Sequence, residues 1–205
     1  MKCIVVVAHP DDETIWMGGS IIRHQDWEWH VLSLCRADDP DRALRFRRAV
    51  QELGGREYIS DLDDSPVLAR LSPDLREIKD RIRDLVPNES DLIFTHGANG
   101  EYTRHERHEE THRAVGEMVE SGDLRGELLF FAYNDRDGSC PPLADTDAQI
   151  LIDLQTEEYT RKRSIVRDIY GFGEDSFEMR AAGFMEAFRV HPNDESLGRL
   201  AAILG

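Results

Sequence analysis

Cysteine is scarce in this chain of 205 residues: Cys3, Cys35 and Cys140 are an odd number at unrelated spacings, with no C-x-x-C pair. That pattern supports neither a disulfide framework nor a cysteine-based zinc site, and a reducing cytoplasm is the plain expectation. Lysine is rarer than arginine throughout, with Lys2, Lys79 and Lys162 the only three, and the formal charge is −16. So acidic a chain lacks the basic footprint that phosphate recognition requires, which sets aside nucleic acid and anionic membrane surfaces as partners. No apolar run approaches the length that spans a bilayer, and the one at the N-terminus is shorter than a secretory signal core. Neither G-x-G-x-x-G nor a Walker pattern occurs, so nucleotide binding lacks its usual phosphate-cradling loops. Without repeats, low-complexity tracts or composition breaks, residues 1–205 read as one domain.

What is present begins with Cys3-Ile4-Val5-Val6-Val7-Ala8, a run of the kind that forms a buried parallel strand, followed at once by His9-Pro10-Asp11-Asp12-Glu13. Pro10 holds His9 in extended geometry and interrupts the ladder, so the acidic pair leaves the sheet in a turn. Ligands of open α/β sheets collect outside the carboxyl ends of strands. The two aspartates then point in different directions, one free to bind a metal and the other to face a water upon it. The plainer alternative for both is turn and N-cap chemistry, and for Glu13 a structural hydrogen bond.

Strand and helix patterns alternate along the chain. Strands are expected at residues 3–8, 27–34, 57–62, 91–95 and 127–133. Helices are expected at 12–24, at 41–53 with a stop at Gly54-Gly55, from Ser72-Pro73 to about 85, from a Thr103/Glu106 capping box to about 120, and near 156–170 and 176–188. Residues 134–148, rich in Asp, Pro and Gly, read as a loop. The expected fold is α/β: a single Rossmann-like domain with a mainly parallel sheet and helices on both faces.

His105, His108 and His112 share one face of the fourth helix pattern. A solvated charged helix would explain them, since Glu106, Arg107, Glu109, Glu110 and Arg113 surround them. The first cluster argues otherwise, because two imidazoles and a carboxylate around an open position are a usual catalytic zinc arrangement. His112 offers an alternative register to His108, and His96 could orient a ligand or be a satisfied structural histidine.

These residues resemble the PIG-L/LmbE-like zinc-dependent N-acetylglucosaminyl deacetylases, a family that includes the deacetylases of mycothiol and bacillithiol synthesis. The likeness rests on Ala8-His9-Pro10-Asp11-Asp12-Glu13 with Gly18-Gly19, Gly100-Glu101-Tyr102, His105-x-x-His108, Ala49 with Leu53-Gly54, Lys162 and Glu186-Ala187-Phe188-Arg189. The resemblance implies that His9, Asp12 and His108 bind Zn2+ or another divalent ion, and that Asp11 is the general base. It implies that Tyr102 and His105 serve the transition state, and that Arg42 touches substrate. The implied substrate is a small N-acetylated sugar conjugate in the cytoplasm, with homo-oligomerisation left open. Residue by residue, Tyr102 also reads as an ordinary surface aromatic and Arg42 as a partner for Asp38 or Asp39. This chain departs from the family pattern in four places: two residues between Tyr102 and His105, Glu106-Arg107 between the histidines, Arg45 where a glutamate is usual, and Leu34-Cys35-Arg36-Ala37 in place of a threonine-containing turn. Arg45 and Cys35 motivate one rival, a metal-dependent amidase with a non-sugar substrate; a second, of a different class, is a binding module on the same fold whose metal only ties two loops together.

Overall fold

The computed structural model describes residues 1–65, 75–102, 105–139, 141–191 and 196–205. The apolar runs form β1 (Lys2–Val7), β2 (Glu28–Cys35), β3 (Arg56–Leu62), β4 (Glu89–Thr95) and β5 (Arg125–Phe131), separated by α1 (Asp12–Arg23), α2 (Pro40–Leu53), α3 (Arg76–Leu85) and α4 (Glu106–Ser121). These strands pair in parallel in the order β3-β2-β1-β4-β5. Side chains alternate across a strand, so β1 sends Cys3, Val5 and Val7 to one face, against Trp16 and Ile21 of α1 and Phe46 and Val50 of α2. Ile4 and Val6 go to the other face, against Ile78 and Ile82 of α3 and Ala114 and Met118 of α4. This is the mainly parallel sheet with helices on both faces that the alternation implies.

Local chemistry sets the helix ends. Asp39 accepts from the amides of Asp41 and Arg42 to start α2, and Gly54 takes the left-handed conformation (φ 85°) that stops it. The strand order reverses between β1 and β4, so the loops leaving these two strands diverge and open a crevice at their carboxyl ends. His9 and His96 lie on those two loops.

The C-terminal third departs from the pattern. Of the helix expected over 176–188, only α6 (Phe177–Ala181) is helical, and Met185–His191 is β9, antiparallel to both β5 and β8 (Ile150–Asp153). β8 and α7 (Leu197–Leu204) were not anticipated, nor was the small pair β6 (Tyr133–Asn134) and β7 (Leu143–Ala144) inside the 134–148 loop. The helix expected over 156–170 is α5 (Thr156–Ser164), running on as a π-helical turn over Ile165–Ile169. The starts expected at Ser72-Pro73 and Thr103 lie outside the described residues. α4 begins at Glu106 with His105 as an extended N-cap residue (φ −114°, ψ 103°), so His105 precedes the first turn instead of lying within it.

β9 was misread because Glu186 hides its alternation. This carboxylate is fully buried, yet it accepts from the amides of Gly19 (2.8 Å) and Ser20 (2.8 Å), from Ser20 Oγ (2.6 Å) and from the equally buried Lys162 Nζ (2.8 Å). A buried charge persists only when so satisfied. Gly19 has no room for a side chain, since a Cβ there would fall 2.3 Å from Leu154 Cδ1, and a Cβ on Gly18 would meet Lys162 Cγ at 3.5 Å. Glu186, Lys162 and the glycines thus bind α1 to α5 and β9, which steadies the helix that begins at Asp12. Among the described residues no helix is long and apolar enough to cross a membrane.

Candidate metal centre

His9 leaves β1, Asp12 opens α1 and His108 lies in the first turn of α4. Folding brings three of their atoms into a near-equilateral triangle. His9 Nδ1 is 3.3 Å from His108 Nε2 and 3.4 Å from Asp12 Oδ2, and His108 Nε2 is 3.4 Å from the same oxygen. A tetrahedral zinc with ligand bonds of about 2.0–2.1 Å spaces its ligands about 3.3–3.4 Å apart.

The outer partners orient both imidazoles. His108 Nδ1 lies 2.6 Å from Glu101 Oε2, and His9 Nε2 lies 3.0 Å from Asp64 Oδ1. A carboxylate only accepts, so those nitrogens carry the proton of the neutral ring and the opposite nitrogens turn lone pairs inward. Two lone pairs and a carboxylate oxygen converging at this spacing call for positive charge among them. Burial alone would lower both histidines, but Asp12 and Glu101 outweigh it and lift His108 to about 10, while Asp12 and Asp64 lift His9 to about 9. The donor set is therefore strongly cation-seeking.

Asp12 is held at both oxygens, Oδ1 accepting from Trp16 Nε1 (2.9 Å) and Oδ2 from the His9 amide (2.9 Å). His96 is fully buried and stacks on His108 with ring centroids 3.8 Å apart. Its Nδ1 donates to Glu101 Oε2 (2.9 Å), and its Nε2 accepts from the Ala8 amide (2.9 Å). It buttresses His108. His112 is engaged elsewhere, with Nδ1 2.9 Å from the His96 carbonyl and its ring against Phe130, so the register in which it replaces His108 is not the one the fold builds.

Asp11 adopts φ 118°, ψ −30°, a conformation that costs a non-glycine residue about 1–3 kcal/mol and persists only when its surroundings enforce it. Glu13 supplies that enforcement. Its Oε2 accepts from the Asp11 amide (3.1 Å), while Oε1 accepts from Tyr170 hydroxyl (2.7 Å) and Thr14 Oγ1 (2.5 Å). Glu13 is thus structural, as the plainer reading has it. Arg42 Nη1 reaches Asp11 Oδ2 at 3.0 Å, so its acidic partner is Asp11; neither Asp38 nor Asp39 takes that role. Burial, then the charges of Asp12 and Glu13, push the Asp11 carboxyl well above its usual range against the pull of Arg42.

These groups line a cleft of about 200 Å³ whose walls include His9, Asp11, Asp12, Trp16, Arg36, Arg42, Asp64, Tyr102, His105 and Phe177. Despite the extra residue before His105, Tyr102 lies in the cleft wall. Its ring packs on Phe177 at 4.8 Å and stands edge-on to His105 (5.7 Å) and His108 (5.8 Å). Burial and then the Asp12 and Asp11 charges raise its hydroxyl, keeping it a proton donor. His105 stacks on His108 at 4.1 Å, and burial followed by the His108 and His9 charges takes it down to about 4, which makes it a neutral imidazole at neutral pH. Its Nδ1 is buried with no partner among the described residues.

Glu101 and Asp64 were not singled out from the sequence. Glu101 had a signal in Gly100-Glu101-Tyr102, but Asp64 ends an acidic run, Asp61-Leu62-Asp63-Asp64, that reads as turn chemistry. Arg107, one of the departures from the family pattern, is buried and bonds both Glu110 and the Asp63 carbonyl, anchoring the loop that carries Asp64. Because Glu101 Oε2 serves two imidazoles while Oε1 accepts from the Gly97 amide (2.9 Å), Glu101→Gln turns an NH2 either against both rings or against that amide. Metal affinity should fall about 10–100-fold in competition with a chromophoric chelator, and an unchanged affinity would remove Glu101 from this role.

The fold is similar to several solved structures. One is N,N'-diacetylchitobiose deacetylase from Pyrococcus horikoshii, with TM-score 0.66 and 17% identity over 93% of this chain and 84% of that one. A second is GalB, the 4-carboxy-2-hydroxymuconate hydratase of Pseudomonas putida, with TM-score 0.65 and 16% identity over 94% and 97%. A third is the zinc-inhibited form of teicoplanin deacetylase, with TM-score 0.62 and 13% identity over 96% and 100%. At these identities the likeness is one of fold. No curated protein sequence matches the chain. The PIG-L family model, described as GlcNAc-PI de-N-acetylase, matches residues 4–119, more than half of the chain and the whole span that holds His9, Asp12 and His108, and the chain belongs to this family.

Proposed function

We propose that the protein is a zinc-dependent N-deacetylase that cleaves the acetyl amide of an N-acetylglucosamine-type conjugate, with His9, Asp12 and His108 holding the ion. The observation that carries this reading is the near-equilateral triangle of His9 Nδ1, His108 Nε2 and Asp12 Oδ2, spaced 3.3–3.4 Å apart. Family membership supports it, as do neighbours of the same fold that deacetylate a chitobiose and teicoplanin. A divalent ion in such a site supplies Lewis acidity and a water acidified to near pH 7.

The chain's own groups do the rest. Asp11 stands at the cleft with a raised carboxyl, suited to take a proton from the attacking water and return it to the departing amine nitrogen. The amide C–N bond breaks, and acetate and a free amino sugar leave. Tyr102 hydroxyl and neutral His105 donate to the oxyanion, interactions that contribute about 3–4 kcal/mol when aimed correctly. Arg42 orients Asp11 through its 3.0 Å bond and offers its exposed edge to substrate hydroxyls.

Neither Arg45 nor Cys35, the departures that motivated a non-sugar amide, lines the cleft, although Arg36 of the altered turn does. Arg45 Nη1 donates to the Tyr170 carbonyl (2.5 Å) and so clamps the π-helical turn, and Cys35 is fully buried. Zinc-loaded protein incubated with a panel of N-acetylated sugars, their conjugates and simple amides, with free amine measured, tests the proposal. Amine from the sugar derivatives is expected. Amine from the non-sugar amides alone would reassign the substrate, and none from any would leave a metal-tied binding module.

A further inference from the structure

We propose that the chain carries a second cation site beside the first, built from His9 Nε2, Cys35 Sγ and an Asp64 carboxylate oxygen, and that it takes a thiophilic divalent ion such as cadmium, or zinc in excess. Each of the three residues offers one donor atom, and these lie within 4.8 Å of one another; His9 Nε2, which faces Asp64, is 3.0 Å from its Oδ1. They come from three neighbouring strand ends. His9 follows β1, Cys35 is the last residue of β2 with its amide donating to the Ala8 carbonyl (3.0 Å), and Asp64 lies two residues beyond Leu62, which pairs with Cys35.

The donor set decides the class of ion. One thiolate, one imidazole and one carboxylate suit zinc and its softer relatives, whereas calcium and magnesium require oxygen. Arg36 holds Asp64 Oδ2 at 2.6 Å and leaves Oδ1 for an ion. Binding forms one bond each to sulfur, nitrogen and oxygen and releases two protons, from the Cys35 thiol and from His9 Nε2, with no change of oxidation state. His9 then bridges two ions through its two nitrogens. Asp64 loses the N–H that oriented this imidazole toward the first site, so occupancy is inhibitory.

The proposal builds on the metal reading of the first site, but its test reads cation binding, not amine release, so the two can fail separately. Metal-free full-length protein is titrated with cadmium. Bound ion is counted by equilibrium dialysis, and the ultraviolet thiolate-to-cadmium charge-transfer band is followed. Wild type should take two equivalents, the band growing with one of them, and Cys35→Ser should take one with no band. A wild type without the band, or a band that persists in Cys35→Ser, overturns the site. One equivalent carrying the band supports this site and counts against the first. Cadmium-113 NMR of the wild type gives the same decision if Cys35→Ser fails to fold: a sulfur-ligated resonance supports the site, and nitrogen- and oxygen-ligated signals alone overturn it.

Discussion

Replacing His108 by alanine is expected to abolish stoichiometric zinc binding and to reduce amine release by on the order of 10³-fold or more, since the ion's stabilisation of developing charge is worth several kcal/mol. The triangle then keeps only His9 Nδ1 and Asp12 Oδ2, and two ligands do not make a tetrahedral site. The fold should survive. Glu101 retains His96 Nδ1 (2.9 Å) and the Gly97 amide (2.9 Å) as donors, and α4 keeps Ala114, Val115 and Met118 in the core. Circular dichroism and metal analysis of the same preparation separate loss of the site from loss of structure. His112→Ala is the matched control, because that imidazole bonds the His96 carbonyl (2.9 Å) away from the triangle, and it should leave zinc content and turnover close to wild type. An active, metal-free His108→Ala protein would refute the assignment, and zinc loss in His112→Ala with retention in His108→Ala would exchange the two.

Asp11→Asn should do the reverse, keeping the ion and losing turnover. Asparagine tolerates positive φ, and its amide oxygen can still accept from Arg42, so the strained turn and the Arg42 tether remain. What disappears is the ability to take a proton, an effect worth roughly 10²–10⁴-fold in kcat, with KM little changed. Stability should not fall. The Asp11 carboxyl is pushed up by burial first and by Asp12 and Glu13 next, so neutralising it relieves repulsion among buried acids. Turnover at wild-type level in a zinc-replete Asp11→Asn protein would take the base role away from Asp11. Loss of zinc along with turnover would make it part of the metal site.

Much of this was legible in the chain because the relevant patterns are short. Val5-Val6-Val7 followed by His9-Pro10-Asp11-Asp12 announces a strand, its end and a cluster of donors within ten residues. The spacing of His105 and His108 puts two imidazoles on one face at the start of α4, where their rings stack at 4.1 Å, and Asp39 with Gly54 brackets α2 through capping alone. β9 was not legible, because a strand is recognised by its alternation and Glu186 breaks it. The partners that make Glu186 tolerable, Gly19, Ser20 and Lys162, lie as far as 167 residues away in sequence. His105 was placed within a helix that begins one residue later, because His105 itself takes the extended N-cap position.

By itself the sequence determined the strand-helix alternation and the parallel sheet, since each depends on residues close enough along the chain to share a turn or a face. Tertiary structure alone decided which carboxylates back the inner donors. Glu101 behind His108, Asp64 behind His9 and the nearness of Cys35 depend on strand order, with His9 and Asp64 55 residues apart and His9 and His108 99 residues apart. The physical reason is that a buried imidazole takes whatever acceptor the neighbouring strand end presents, and which strand becomes the neighbour is settled only when the whole sheet is assembled.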